Sequence, residues 1–469
     1  MDSESILTFI IIALGCYLAW NIGANDVSNA MGTSVGSGAL TLRRAVYLAA
    51  LLEFCGAFLA GGEVLETIQK GLISPGHIAF SPKILVLGMG ASLLGTGLWL
   101  QIATYFGWPV STTHAIVGGI LGFTGVVGGF HAIQWKPVLV ITMSWVFSPA
   151  IAGLFSFALF SLLQKRILYA LRPLEAAQKL LPFFTFFFFA TFSWNLLLGG
   201  FTHWNVHFSS LQIIGISMTA GGIAGILAFF FARKTPSASS KNDSPYTLIS
   251  VQKALKHLQR VKATANDGLH EQVDAILGEV HALSGRLQET CSISLHASAY
   301  VSVEALFARL QILSACFIAF AHGANDVANA IGPLAAIFHA LPHSPALLQR
   351  SSFLLAMGGF GIVLGLATWG WRVIETVGKK ITQLTPTRGF CAEFGAAATI
   401  LFASKCGLPI STTHCLVGAI LGVGLARGMH ALNLHMLKEI LLSWVITIPA
   451  STVMSVLGFF ALKALFGSS

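Results

Sequence analysis

Charge is what this chain has least of. Only 10% of its 469 residues are Asp, Glu, Lys or Arg, against roughly 25% in an ordinary soluble domain. A surface facing water on every side needs more, which excludes a soluble globular protein. The N-terminal stretch lacks the basic residues that precede a cleaved signal peptide's core, so Ile6 to Trp20 is expected to persist as a helix. The seven cysteines show no paired spacing, which argues against a disulfide framework or a zinc site. Cys55, Cys316 and Cys415 lie in apolar runs and read as small core residues. The formal net charge of +9 comes from Lys and Arg placed mostly between apolar runs. That is the positive-inside pattern of a membrane protein, not a nucleic-acid footprint.

What is there is apolar. Hydrophobic residues make up 55% of the chain, with 35 Phe, and runs such as Leu180 to Ala190 have no water-facing side. A bilayer span needs about 20 such residues. The fold class is therefore all-α and polytopic. Twelve hydrophobic segments are expected, near 6–30, 45–62, 84–105, 110–128, 138–163, 181–200, 209–231, 310–338, 351–372, 389–405, 409–426 and 440–466. Several are short or interrupted by Gly, which predicts broken or re-entrant helices. The one long polar stretch lies between Arg233 and Tyr300. Leu248, Val251, Leu255 and Leu258, then Val273, Ile276, Val280, Leu283 and Leu287, recur there at helical spacing. Two amphipathic helices are expected, packed on each other or on the membrane surface.

Two phrases are repeated. Gly23-Ala24-Asn25-Asp26-Val27-Ser28-Asn29-Ala30 recurs from Gly323 to Ala330, and Pro109-Val110-Ser111-Thr112-Thr113-His114 recurs from Pro409 to His414, both at an offset of 300. The chain is a duplicated unit. Basic residues give the sides: Lys165, Arg166, Arg172 and Lys179 mark one loop as cytoplasmic. Counting spans then puts Arg43 and Arg44, the 233–300 loop, Lys379, Lys380 and Arg388, and Arg427 and Lys438 on that same side. By this count segment 6–30 and segment 310–338 run in opposite directions. The expected organisation is a first transporter repeat at 1–163, two connecting transmembrane helices at 164–232, a cytoplasmic loop at 233–300 and a second, inverted repeat at 301–469. Inverted repeats with interrupted helices are typical of secondary transporters, with the binding site at the repeat interface.

On a helix, Asn25, Asp26 and Asn29 share a face, and Gly23, Gly32, Gly36 and Gly38 are expected to let that helix break. A carboxylate beside freed carbonyls is a hard oxygen site, suited to Na⁺ or a proton. In the second phrase, Gly107 and Pro109 end one helix and Ser111 caps the next. Ser111, Thr112 and Thr113, like Ser411, Thr412 and Thr413, then sit at a helix N-terminus within the membrane, where free N–H groups and hydroxyls favour an oxyanion. Two Asp carboxylates would repel such an anion unless a cation or proton neutralised them first, and that dependence is symport coupling. His114 and His414 read as packed residues. Glu53 and Glu393 are further intramembrane acids, read as cation ligands or gate partners, whereas Glu63 and Glu66 read as membrane-boundary residues.

At these residues the chain resembles the inorganic phosphate transporter (PiT) family of cation-coupled phosphate symporters, over essentially its whole length outside 233–300. The resemblance implies a permease, not an enzyme, that imports phosphate with Na⁺ or H⁺ through inverted repeats. By motif match it implies phosphate ligands at Asn25, Ser111, Thr112, Thr113, Asn325, Ser411, Thr412 and Thr413. It implies cation ligands at Asp26, Asn29, Asp326, Asn329, Glu53 and Glu393, with Na⁺ at Asp26 and Asp326. Animal sodium-coupled members carry an acid where this chain reads Gly88-Met89-Gly90, which leaves the coupling ion as Na⁺ or H⁺. Some relatives carry sulfate, so another tetrahedral oxyanion is the alternative cargo. The expected partners are phosphate, the coupling ion, the bilayer of a plasma or inner membrane and a second copy of the chain in a homodimer, with no nucleic acid and no bound cofactor. Two other classes compete. Gly32-Thr33-Ser34-Val35-Gly36 matches a hydrolase elbow, but its repeat mate has no serine. A passive anion channel is disfavoured because uncompensated acids repel anions.

Overall fold

The computed structural model describes residues 3–73, 81–199, 208–233, 244–262, 267–290, 294–341, 345–371, 373–374, 384–428 and 434–467. Among them are 15 α-helices and no strand. The first half runs α1 (Ser3–Gly36), α2 (Leu42–Ala60), α3 (Gly62–Lys70), α4 (Pro82–Phe106), α5 (Thr112–Gly128) and α6 (Trp135–Leu163), the last continued by a π-helical turn, Gln164–Leu168. Then come α7 (Pro173–Gly199), α8 (Ser210–Arg233), α9 (Ser244–Lys262) and α10 (Asp267–Thr290). The second half runs α11 (Ser294–Ala340), α12 (Ser351–Trp369), α13 (Pro386–Lys405), α14 (Thr412–Arg427) and α15 (Leu434–Phe466).

Each of the twelve hydrophobic segments falls on a helix, but not every one is a span. Among the described residues eight helices are long and apolar enough to cross a bilayer, and α2 with α3 forms a further pair bent by 63°. The helices that follow the Pro-Ser-Thr-Thr motifs, α5 and α14, have 17 and 16 residues, short of the length a span needs. Of the basic residues that set the sides, Lys379 and Lys380 lie outside the described residues.

One expectation is corrected. Helices α1 and α11 run unbroken through both copies of the Gly-Ala-Asn-Asp phrase. The glycines there serve close packing. A Cβ on Gly23 would sit 1.9 Å from the Ile362 carbonyl oxygen, and one on Gly323 would sit 2.1 Å from that of Glu53. Small residues that let backbones meet are the usual means of joining helices inside a membrane. The positive φ falls later, at Gly38 in the turn after α1.

Contacts divide the chain into two compact units. The larger comprises Met1–Ser161, Phe186–Ile223 and Phe307–Ser469. In it the last helix of each half packs on the other half. Helix α15 lies on α4 and α5, where Ser451 Oγ donates to the Ala115 carbonyl at 2.6 Å and Thr452 Oγ1 to that of Gly118 at 2.8 Å. Helix α6 lies on α14, so closely that a Cβ on Gly422 would sit 2.0 Å from the Gly153 carbonyl oxygen. Large apolar side chains such as Leu154 on α6 and Leu211 on α8 are exposed, as lipid-facing residues are.

The smaller unit comprises Leu162–Thr185 and Ala224–Leu306. The two amphipathic helices expected there are α9 and α10, and they pack on each other through Leu255, Leu258, Val273, Leu277 and Val280. Ile276 and Leu283 are 46% and 47% exposed. The stripe facing α9 follows 273, 277 and 280, which leaves 276 and 283 on its flank. Lys262 pairs with Asp274 across the two helices. Lys253 and Lys256 stand over the Tyr169 ring, 5.8 and 5.7 Å from its centroid.

The close approach at Gly23 is testable. Gly23→Ala is expected to lower the unfolding temperature in detergent, at a cost of about 1–3 kcal/mol for overpacking. Gly125→Ala on α5, where an added Cβ meets nothing within 4 Å, is expected to be neutral or to gain up to about 1 kcal/mol in helix propensity. Equal effects would remove packing as the reason for Gly23.

Candidate functional site

The site begins with two helix starts. Gly107 and Gly407 take φ values of 69° and 67° and end α4 and α13 in the left-handed conformation that glycine favours. The chain then turns through Pro109 and Pro409 into the N-caps Ser111 and Ser411, whose Oγ atoms accept from the His114 and His414 N–H groups at 3.2 Å each. Each start reaches across to the other: Thr113 Oγ1 donates to the Ile410 carbonyl at 2.9 Å and Thr413 Oγ1 to that of Val110 at 3.2 Å.

Helices α1 and α11 hold these starts. Asn25 Nδ2 donates to Thr104 Oγ1 at 2.9 Å and to the Trp108 carbonyl at 3.1 Å. Asn325 Nδ2 repeats this on Ser404 Oγ at 2.8 Å and the Leu408 carbonyl at 3.1 Å. Asn29 Nδ2 crosses between halves to Thr413 Oγ1 at 2.7 Å, and Asn329 Nδ2 crosses to Thr112 and Thr113 at 3.2 and 3.1 Å. The carboxylates complete the arrangement. Asp26 Oδ1 accepts from Asn29 at 3.1 Å and Thr413 at 3.4 Å, and Asp326 Oδ2 accepts from Thr412 at 2.7 Å. All of these side chains are buried. Both halves' motif residues thus form one connected polar cluster.

At its centre stands a residue that the sequence reading passed over. His322 Nε2 lies 3.0 Å from Asp326 Oδ2 and 3.9 Å from Asp26 Oδ2, and its Nδ1 lies 3.2 Å from Glu53 Oε1. Asp26, His322 and Asp326 each offer one ligand atom, all within 4.8 Å of one another, an arrangement that could hold a cation. Asp26 Oδ2 has no hydrogen-bond partner, so one carboxylate oxygen remains to receive such an ion. The signal was present in the repeat itself, because position 22 is Ile where position 322 is His. An ionisable residue in an apolar span is a functional candidate by default.

The predicted acids separate. Glu53 joins the cluster through His322. Glu393 accepts instead from Thr33, Ser34, Gln311 and Ser314, none of which belongs to that cluster. The hydrolase reading fails here, since Ser34 lies within continuous α1 and donates to Glu393 at 2.7 Å. His114 and His414 pack as expected. Their ring centroids are 4.4 Å apart, edge to face, and Trp145 lies 3.9 Å from His114.

A buried polar cluster built from two repeated halves, in a membrane protein whose described residues are nearly all helical, fits a transporter. Comparison with known proteins gives the family. A family profile described as the phosphate transporter family matches residues 22–455. A relative from Chlamydia muridarum is 43% identical over 465 residues, covering 98% of this chain and 99% of that one. The chloroplastic inorganic phosphate transporter 2-1 of Arabidopsis thaliana is 41% identical over 459 residues, covering 96% of this chain and 71% of that protein. A solved structure titled the sodium-dependent phosphate transporter matches with a TM-score of 0.75 and 34% identity, over 98% of this chain and all of the other. The chain belongs to the phosphate transporter family, which is a family of transporters and not of enzymes.

The other half shows what replaces the Glu53–His322 contact. Gly23 abuts the Ile362 carbonyl as Gly323 abuts that of Glu53, so the matching pair is Ile22 with Ile362, both fully buried. Glu53→Ile or His322→Ile alone should cost about 3–5 kcal/mol by leaving a buried ionisable group unmatched. The double variant should recover the part of that loss due to the Glu53–His322 contact, while the contacts of His322 with Asp326 and Asp26 stay lost. Thermal unfolding of all four proteins closes the cycle, and a double variant as unstable as the worse single would show that the two side chains are not a unit.

Proposed function

We propose that this protein is a secondary active transporter that imports inorganic phosphate by symport with Na⁺ or H⁺. One observation carries the reading: two capped helix starts, each clasping the other, lie against two buried aspartates through Asn29, Asn329 and Thr412. In this reading Ser111, Thr112, Thr113, Ser411, Thr412 and Thr413 bind phosphate with their hydroxyls and the helix N–H groups. Asn25 and Asn325 serve the same anion by holding the connectors that aim those starts. Asp26, Asn29, Asp326, Asn329 and Glu53 serve the cation. Two ionised aspartates repel phosphate, and a bound Na⁺ or proton removes that repulsion, so each ligand favours the other's binding.

The halves are read as inverted repeats, 1–163 and 301–469, joined by two transmembrane helices at 164–232 and the 233–300 loop. Contact order supports this. Along α1 and α12, Gly361 meets Ala19, Gly365 meets Trp20 and Gly370 meets Val27, and along α2 and α11, Gly56 meets Phe320 and Gly61 meets Val327. Helix α1 therefore runs alongside α12, and α2 alongside α11, each pair in parallel. An α1 antiparallel to its neighbour α2 is then antiparallel to its own repeat mate, α11. The protein is placed in a plasma or inner membrane as a homodimer, with residues 233–300 in the cytoplasm. Sulfate is the competing cargo.

Labelled-phosphate uptake into proteoliposomes under imposed Na⁺ or H⁺ gradients, with unlabelled sulfate as competitor, tests the reading. Asp26→Asn and Asp326→Asn should each abolish accumulation against a gradient, and normal accumulation in either would remove that acid from the mechanism. Accumulation by the wild type also separates a carrier from a channel. Thr112→Val should raise the phosphate KM roughly tenfold, the worth of about one hydrogen bond to a charged group, and an unchanged KM would reduce Thr112 to a structural role. Deleting residues 245–295 should leave uptake intact, and its loss in a correctly inserted protein would make α9 and α10 part of the transport cycle.

A further inference from the structure

The connector between α13 and α14 is held by four other helices. The Gly407 carbonyl accepts from Thr67 Oγ1 on α3 at 2.6 Å and the Leu408 carbonyl from Asn325 Nδ2 on α11 at 3.1 Å. The Pro409 carbonyl accepts from Trp145 Nε1 on α6 at 3.0 Å and the Ile410 carbonyl from Thr113 Oγ1 on α5 at 2.9 Å. Successive carbonyls thus each meet a donor from a different helix, and all but Asn325 come from the first half. Asn325 and Thr113 belong to the repeated phrases, whereas Thr67 and Trp145 lie outside them. Thr67 is itself firmly seated. At Gly61, where α2 bends by 63° into α3, an added Cβ would stand 2.6 Å from Val327 Cγ1 of α11. Val64, Leu65 and Ile68 bury the apolar face of α3 in the core. At its C-terminal end, Gln134 Nε2, just before α6, donates to the carbonyls of Lys70 at 3.3 Å and Ile73 at 2.6 Å. Helices α3 and α6 therefore form one frame, and that frame holds both Gly407 and Pro409.

A helix start offers an anion the unpaired N–H groups of its first turn, and their direction is that of the turn itself. Only Leu408, Pro409 and Ile410 separate Gly407, at φ 67°, from the cap Ser411. The direction of the Thr412 and Thr413 N–H groups is set by how those residues are fixed. A carbonyl released from its donor lets its peptide plane rotate, and the amides beyond it turn with it. We propose that Thr67 and Trp145 are positioning residues for anion binding at the second helix start, holding the Gly407 and Pro409 carbonyls so that the Ser411-Thr412-Thr413 turn faces the bound phosphate. Neither side chain touches the cargo. The inference rests on the phosphate reading for the identity of that anion, and adds the side chains outside the duplicated phrases that give the start its aim. A second link joins α3 to the end of α13. Glu63 pairs with Lys405 at 3.2 Å, with 38% and 26% of those side chains exposed. An ion pair so open to solvent holds little and touches no carbonyl of the connector, so it serves as the control.

The test uses the purified full-length protein in detergent. Binding of inorganic phosphate at saturating Na⁺ and fixed pH is measured by calorimetry, and amide hydrogen exchange without phosphate is followed by mass spectrometry. Thr67→Val keeps the shape of the side chain and removes its hydroxyl. It should weaken phosphate binding about fivefold, the net worth of one hydrogen bond, and speed exchange over residues 407–414 while 107–114 stay as in wild type. Thr67→Ser, which restores the hydroxyl, should behave as wild type in both. Trp145→Phe, which removes the indole N–H and keeps an aromatic ring beside His114, should reproduce both effects of Thr67→Val. Glu63→Gln should shift neither by more than about twofold. Unaltered exchange over 407–414 in Thr67→Val would overturn the proposal. So would faster exchange with unaltered phosphate affinity, or a loss in Glu63→Gln as large as that in Thr67→Val. Absence of phosphate binding by the wild type would sink the phosphate reading instead. Sulfate, the competing cargo, would then replace phosphate in the titration, and exchange over 407–414 would still decide whether Thr67 and Trp145 hold the start.

Discussion

The interior of this protein is organised around the cost of burying carboxylates. Asp26, Asp326, Glu53 and Glu393 are each at most 1% exposed, in a chain most of whose core is apolar. Each would cost several kcal/mol if left unmatched, and the nearby polar groups answer that cost in different ways. Asp26 draws on Asn29 and on Thr413 of the other half, and Asp326 on Asn329 and Thr412 of its own. Glu53 has His322. Glu393 has three hydroxyls and an amide. Removing a partner leaves the carboxylate less well matched, and Glu53, which has only His322, is the most dependent on a single one. The side chains that would bind cargo are therefore the same ones that hold the halves together.

The duplication gives this network its form. Hydrogen bonds of Asn25 recur at Asn325, the Thr113 bond to Ile410 recurs from Thr413 to Val110, and the caps at Ser111 and Ser411 match in length. The crossing of α6 and α15 onto the opposite halves uses the same device twice, a line of Gly and small hydroxyl residues that lets backbones approach. Neither half could bury its own helix starts alone, since each start's threonine is satisfied by the other half's carbonyl.

Much of this was legible in the sequence, for identifiable reasons. Helix positions follow from apolar length, and the helix starts at Thr112 and Thr412 follow from Gly, Pro and Ser, whose backbone preferences are local. The amphipathic character of α9 and α10 followed from periodicity, which left open whether they pack on each other or on the membrane surface. What stayed hidden depends on contacts distant in the chain. Gly23 suggested a break because glycine permits one, but whether it breaks a helix or seats a neighbour depends on Ile362, which no local pattern reveals. The fourfold environment of Glu393 brings together α1, α11 and α13 across as many as 360 positions. His322 was visible only by comparing the copies where they differ, and a search for repeats attends to where they agree.

Those differences bear on how such a molecule could be driven. Two halves related by an internal two-fold would, if identical, make two exchanged conformations equal in energy. A ligand with equal affinity for both shifts nothing, however tightly it binds. A preference between them has to come from positions where the copies disagree. Two of these are polar on one side and apolar on the other: Glu53 with His322 against Ile22 with Ile362, and Glu393 with its hydroxyls against Leu93 with Ile11, Leu14 and Leu334. On the proposed reading the shared residues, Asp26 with Asp326 and the paired Ser-Thr-Thr starts, would recognise cargo from either half. On the same reading the unshared ones would give an ion or a proton something to distinguish, so recognition and direction would fall to different residues.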